Sequence, residues 1–256
     1  MKTLKPYIGI CDFTNNKQVL EMLDIISKYR HADVKLMIGA MTSYKVFNYK
    51  ETKWAEIFPK LKNLKNIFSI RDPLLVNCIH YADYENNTGL GDILCRLVNT
   101  CGDGLSAIQL DMIWPPPREL EIFQRQHALP IIMQVSRRSM TECHDNPIAV
   151  AKKIRDDYGG LVSAVLIDCS MGKGLPINVP FIEGYIESIK TYAGDVEIAI
   201  AGGLGPDTVH RVQRLIKEYR VSIDAQSKLR ISGKAEDPID WELAKKYVHN
   251  AIGYYL

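Results

Sequence analysis

The stretch AIAGGLGPDTVHRVQ, Ala199 to Gln213, decides the fold. An apolar strand over Val196–Ala201 runs into paired glycines, Gly202 and Gly203, then a Pro-Asp pair that reads as a helix start, then a helix. Glycine lets the backbone approach a ligand closely, and the first amides of a helix point outward with partial positive charge. Pro206 suits a first helical turn, where no amide is needed. Taken alone, the segment is either an ordinary strand-to-helix turn or a phosphate cradle. Its position favours the cradle, because it is the seventh of eight similar units.

Outward from that stretch, the chain lays out as strand then helix, repeated. Strand 1 is expected over Tyr7–Thr14, with a helix over Lys17–Tyr29 that places Val19, Leu20, Leu23 and Ile26 on one face. Strand 2 is expected over Val34–Met41, followed after a long connection by a helix over Trp54–Leu61. Strand 3 fits either Asn66–Ile70 or Leu74–Tyr81, and its helix begins near Gly91. Strand 4 is Ala107–Met112, with a helix after Pro117. Strand 5 is Pro130–Val135, with a helix from Pro147 to Tyr158. Strand 6 is Ser163–Cys169, with a helix over Pro180–Tyr192. Strand 8 is Val221–Ala225, and a last helix runs from Asp240 to about Tyr254.

The later strands are nearly unbroken apolar runs, such as SAVLID and VEIAIA. That pattern marks strands buried on both faces, as parallel sheets require. Eight strand–helix units in 256 residues match a (β/α)8 TIM barrel. A doubly wound open sheet is the alternative. It normally carries its glycine fingerprint after the first strand, where this chain reads CDFTNN. The expectation is therefore a single α/β barrel domain over residues 1–256, uninterrupted by any linker.

Net charge is +2, with positive and negative residues interspersed. A nucleic-acid surface would show a basic stripe instead. The six cysteines, at 11, 78, 95, 101, 143 and 169, lack the paired spacing of a zinc site, so neither a metal nor another cofactor is expected. The N-terminus has no signal-peptide core, and no segment is long and apolar enough to span a bilayer. A cytoplasmic protein, monomer or homodimer, with no nucleic-acid or membrane partner is expected.

Barrel enzymes build their sites from the carboxyl ends of the strands. Those ends supply Cys11, Asp12 and Thr14; Gln109 and Asp111; Gln134, Ser136, Arg137 and Arg138; Asp168, Cys169 and Ser170; and Asp224, Gln226 and Ser227. Glycine-bearing loops follow strand 6, at Gly172 and Gly174, and strand 7, at Gly202 and Gly203. Barrel phosphate sites form at the loops after strands 7 and 8, so a phosphorylated small molecule is the leading ligand class.

These residues carry a resemblance. ICDFTN (10–15) resembles the ICG-x-T motif of the phosphoribosylanthranilate isomerase family, whose cysteine is the general base. VLIDCSMGKG (165–174) resembles that family's sixth strand, whose aspartate is the general acid and precedes a phosphate loop. IAGGLGPDTV (200–209) is similar to its seventh-strand turn, which many phosphate-binding barrels share; IDAQSKLRI (223–231) is a weaker echo of its eighth strand, and IQLD (108–111) of its fourth. The resemblance runs in order along the chain. It implies an isomerase of the tryptophan-biosynthesis type, with Cys11 and Asp168 catalytic. Gly172, Gly174, Gly202, Gly203, Ser227, Lys228, Asp111 and Arg137 would bind substrate.

The chain also departs from the family. Asp12 replaces the glycine after the first-strand cysteine and adds a negative charge beside the base. Lys228 replaces a glycine of the eighth-strand motif, where it can supply a point charge instead of a backbone cradle. Ser43–Asp72 lacks the family's SPR segment, and Lys45 is its nearest basic candidate.

The family's reaction needs an acid to open the sugar ring and a base to take the adjacent carbon's proton. Asp168 would need a raised pKa and Cys11 a lowered one, from a nearby cation or helix end. Packing alone can also account for Cys11, and capping for Asp168. His80, His127, His144 and His249 are expected in loops or helices with no partnered spacing, so neither ligation nor catalysis is expected of them. Trp54 and Trp241 are expected at helix starts on the barrel exterior. Two alternatives stay open: a phosphosugar aldolase or lyase, using a lysine such as Lys35 or carboxylates such as Asp111 and Asp168, and a barrel that binds a phosphorylated ligand without turning it over.

Overall fold

The computed structural model describes residues 4–54, 57–168 and 176–256. Eight strands close into one parallel barrel in sequence order: β1 (Tyr7–Ile10), β2 (Lys35–Ser43), β3 (Leu75–Ala82), β4 (Ala107–Asp111), β5 (Ile131–Ser136), β6 (Ala164–Asp168), β7 (Glu197–Ala201) and β8 (Ser222–Ala225). β1 pairs with both β2 and β8, which completes the closure. The α/β barrel expected from the apolar runs is the fold observed.

The helices are α1 (Asn16–Ser27), α2 (Tyr44–Phe47), α3 (Leu61–Ile67), α4 (Leu90–Cys101), α5 (Pro117–Gln126), α6 (Arg137–Glu142), α7 (Pro147–Tyr158), α8 (Val179–Tyr192), α9 (Gln213–Tyr219) and α10 (Trp241–Ile252). Their starts are written in the sequence. Asn15 caps α1 through a reciprocal pair with Gln18, and Asn146, Asn178 and Asp240 accept the first amides of α7, α8 and α10. Pro117 and Pro147 open α5 and α7, where a missing amide costs nothing. No described helix is long and apolar enough to cross a membrane.

Two apolar clusters separate the two faces of the sheet. The larger joins Ile8, Ile38, Ile79, Ile108, Val165 and Ile200 to the inward faces of the helices. The smaller fills the barrel with Tyr7, Met37, Val76, Cys78, Ile132 and Leu166. Side chains alternate along each strand, so the same alternation carries Cys11, His80, Gln109, Gln134, Asp168 and Asp224 into the interior toward the mouth. Glycines make the room. A methyl group on Gly9 would lie 2.7 Å from Asp224 Oδ1, and one on Gly39 would lie 3.0 Å from the His80 ring.

Several local expectations are corrected. Among the described residues of the Trp54–Leu61 span no helix precedes Leu61: Pro59 falls inside that span and cannot donate the interior hydrogen bond, and the helix starts at Leu61 instead. Strand 3 is the later of its two candidates, and Asn66–Ile70 begins in the tail of α3. After β7, Pro206–Thr208 form a turn, then a 3₁₀ turn over Val209–Val212, and only then α9. Arg137 and Arg138 open α6, capped by Ser136, rather than ending the fifth strand.

Candidate active site

The carboxyl ends of the strands surround a cavity of about 690 Å³. Among the residues marked out in the sequence, Cys11, Asp111, Asp168, Gly202, Gly203 and Ser227 all line it. Gly172 and Gly174 lie outside the described residues. Arg137 is turned away, paired with Asp145 at 3.3 Å and packed over Phe181. Its neighbour Arg138 lines the cavity in its place. Lys228 is exposed and not in the lining; its Cβ and backbone sit where Gly205 leaves space, so it braces the seventh-strand turn from outside.

The base of the cavity is a chain of polar contacts. Cys11 Sγ lies 3.4 Å from Asp224 Oδ1 and 3.5 Å from His80 Nδ1. Gln134 donates to Asp168 at 3.4 Å, and the Tyr84 hydroxyl donates to Asp111. Burial pushes Asp224 up to about 7, opposed by the Cys11 hydrogen bond and reinforced by the charges of Asp168 and Asp12. Burial also raises Asp111 to about 6, against the Tyr84 hydrogen bond and with the charge of Asp168. His80 is pushed down to about 3 by burial and is neutral. Cys11 moves opposite to expectation: burial and the nearby Asp224 carboxylate hold its thiol well above the usual range. The described structure brings no cation close enough to reverse that.

Asp12 does not crowd the site. Its backbone takes φ 72°, the left-handed conformation that favours glycine, and its carboxylate is bound by Arg230 and by Gln226 at 3.1 Å. Gly202 and Gly203 also have positive φ, 114° and 62°, so the seventh-strand turn does require glycine geometry.

An aromatic wall stands over the opening. Trp54 and Phe58 stack at 5.7 Å with ring planes 8° apart, and both line the cavity, so Trp54 is not an exterior residue. Lys53 sits 4.6 Å above the Trp54 ring and pairs with Glu236; Lys45 pairs with Glu85 at 3.2 Å. Trp241 does open a helix, packed on Phe13. Lys35 begins β2 at the opposite end of the barrel, beside Tyr7.

The sequence reading missed His80, Tyr84 and Arg230, and left Asp224 as one strand-end residue among several. Asp224 had a signal: VSID closes on aspartate just as VLID does. His80 had one conditional on strand 3, because Val76, Cys78 and His80 face inward only if the strand spans the later candidate.

No family model matches the chain, and no curated protein matches its sequence. Solved structures do match its fold. Phosphoribosyl anthranilate isomerase from Thermus thermophilus superposes with a TM-score of 0.63 at 16% identity, covering 97% of this chain and 97% of that one. A phosphoribosyl anthranilate isomerase in complex with reduced 1-(o-carboxyphenylamino)-1-deoxyribulose 5-phosphate gives 0.61 at 16%, covering 98% of this chain and 100% of that one. The catalytic domain of a chitinase from Pyrococcus furiosus gives 0.61 at 10%, covering 99% and 97%. The shared property is the barrel itself, a scaffold that hosts unrelated chemistries.

Proposed function

We propose that this chain is an enzyme that rearranges a phosphorylated aminoaldose to the aminoketose by acid–base chemistry, as phosphoribosylanthranilate isomerases do. One observation carries the reading: Cys11 with Asp224, and Asp168, line the same cavity as the Gly202–Gly203 turn. The reaction needs an acid, a base and an anchor for phosphate within reach of one small molecule. The ligand named in the neighbouring isomerase complex is of the matching class, an aryl amine on a sugar phosphate.

In this mechanism Asp168 gives its proton to the ring oxygen, and the bond from that oxygen to C1 breaks. The nitrogen lone pair forms the C1–N double bond. Cys11 then accepts the C2 proton as its own thiol proton passes to Asp224 Oδ1, 3.4 Å away. The C2–H electron pair becomes the enolamine double bond, and proton transfer to C1 gives the ketone. A relay of this kind suits a thiol whose pKa is raised, because no free thiolate has to form. Asp224, near 7, is poised to accept at neutral pH.

Phosphate would rest on the amides of Gly202 and Gly203 with Ser227, and the aryl group on Trp54 and Phe58. The alternatives fare differently. Lys35 at the far end of the barrel removes the strand-2 lysine from an aldolase mechanism, while Lys45, Lys53 and Lys234 line the cavity with Asp111 and Asp168. Binding without turnover rests on Asp12 and Lys228: Arg230 takes up the charge of Asp12, and Lys228 lies outside the cavity lining. The decisive measurement is turnover of phosphoribosylanthranilate by the purified chain, followed as formation of the aminoketose product. Turnover that depends on Asp168 supports the proposal. Absence of turnover with this substrate and other aminoaldose phosphates rejects it.

A further inference from the structure

Cys11, His80 and Asp224 converge from β3, β8 and the residue following β1, separated in sequence by 69 and 213 positions. One potential ligand atom from each lies within 4.8 Å of the other two, and all three residues are buried. We propose that these three side chains form a binding site for a thiophilic divalent cation of the zinc class, with an open coordination position toward the mouth cavity.

The distances support it. A tetrahedral ion bound at about 2.3 Å to sulfur and about 2.0–2.1 Å to nitrogen or oxygen sets sulfur–nitrogen and sulfur–oxygen edges of about 3.5 Å. The observed edges are 3.5 Å to His80 Nδ1 and 3.4 Å to Asp224 Oδ1. Two edges of the coordination tetrahedron thus stand at the required length. The donor set of thiolate, imidazole and carboxylate is one that zinc accepts, and three protein ligands with a free position is the pattern of a reactive rather than a structural site.

Hydrogen bonding alone serves these groups poorly. The thiol has one proton and faces two acceptors if His80 is protonated on its outer nitrogen. If His80 is protonated on Nδ1, the contacts to Cys11 and Asp224 are made but the outer nitrogen is left as an unused acceptor. Either way His80 Nε2 is buried without a partner among the described residues, in a side chain 1% exposed. A cation at the convergence would use Cys11, His80 Nδ1 and Asp224 together, releasing the thiol proton as the sulfur–metal bond forms. Because His80 Nε2 has no outer acceptor to orient the ring, affinity is expected about 10- to 100-fold below that of a fully supported site.

The proposal does not depend on the isomerase reaction, although the two share Cys11 and Asp224. Binding is measured without turnover, so either can fail alone. The test is titration of the folded chain with cobalt(II) and, separately, with zinc(II) against a chromogenic chelator. One equivalent per chain is expected, with a near-ultraviolet thiolate-to-cobalt charge-transfer band in the wild type and in Cys101→Ser. Cys11→Ser should lose that band, and His80→Gln should weaken binding at least about tenfold. A folded wild type without the band, or a band that survives Cys11→Ser, overturns the site. Should a variant not fold, differential alkylation of wild type read by mass spectrometry decides. Zinc must then slow labelling of Cys11 while leaving Cys95 unchanged, and equal labelling of Cys11 overturns the proposal.

Discussion

The carboxylate of Asp12 is held by the guanidinium of Arg230, 218 residues along the chain, with both side chains buried. Arg230 also donates to the backbone carbonyls of Gln226 and Asp237, so it ties the loop after β8 to the loop after β1. Removing one partner of a buried pair leaves the other charge stranded. Arg230→Met is therefore expected to destabilise the fold by about 3–5 kcal/mol in urea unfolding. Adding Asp12→Asn should restore part of that. A loss below about 1 kcal/mol for Arg230→Met, the range of exposed pairs, would mean the two charges are hydrated.

Asp168→Asn and Cys11→Ser should each lower kcat by about a hundredfold or more, the scale of one acid–base partner. KM should change little, because the phosphate contacts proposed at Gly202, Gly203 and Ser227 come from other loops. Full turnover in both variants, with a demonstrated substrate, would falsify the assignment of acid and base.

Asp111 gives a pH signature. Its folded pKa, pushed up to about 6 chiefly by burial, lies above the unfolded value. The folded state then holds this proton more tightly than the unfolded chain. Its contribution to stability is fully present below about pH 4 and is lost as pH rises through about 6. Asp111→Asn should flatten that part of the stability profile. Tyr84→Phe removes the hydrogen bond that opposes the shift, so it should move the loss to higher pH. Unchanged profiles in both variants would show that Asp111 is solvated.

Phosphate should perturb the amide resonances of Gly202, Gly203 and Ser227, together with Gly172 and Gly174. Gly203→Ala, at φ 62°, should weaken phosphate binding about tenfold, because a side chain in that conformation costs about 1–2 kcal/mol. Shifts confined to other loops at millimolar phosphate would place the anion elsewhere.

Much of the barrel was legible because its rules are local. Apolar runs such as VLID and IAIA mark strands buried on both faces, as a parallel sheet requires, and Asn and Pro residues announce the helix starts. The residues between the second and third strands resisted for an equally local reason. Trp54–Leu61 has helical composition, and only Pro59 argues against it, while Asn66–Ile70 and Leu74–Tyr81 both carry strand-like runs.

The sequence by itself determined the strand order, the closing aspartates Asp168 and Asp224, and the glycine turn at 202–203. Tertiary structure decided which side chains share an environment, and so their chemistry. Nothing in ICDFTN says that Asp12 will be bound by Arg230, or that Cys11 will lie 3.5 Å from His80 and 3.4 Å from Asp224. Those contacts exist because closing the sheet places β8 and β3 on either side of the strand pair β1–β2 and points alternate residues into one dry interior. Protonation there depends on burial and on the sum of nearby charges, and neither quantity exists until the barrel is closed.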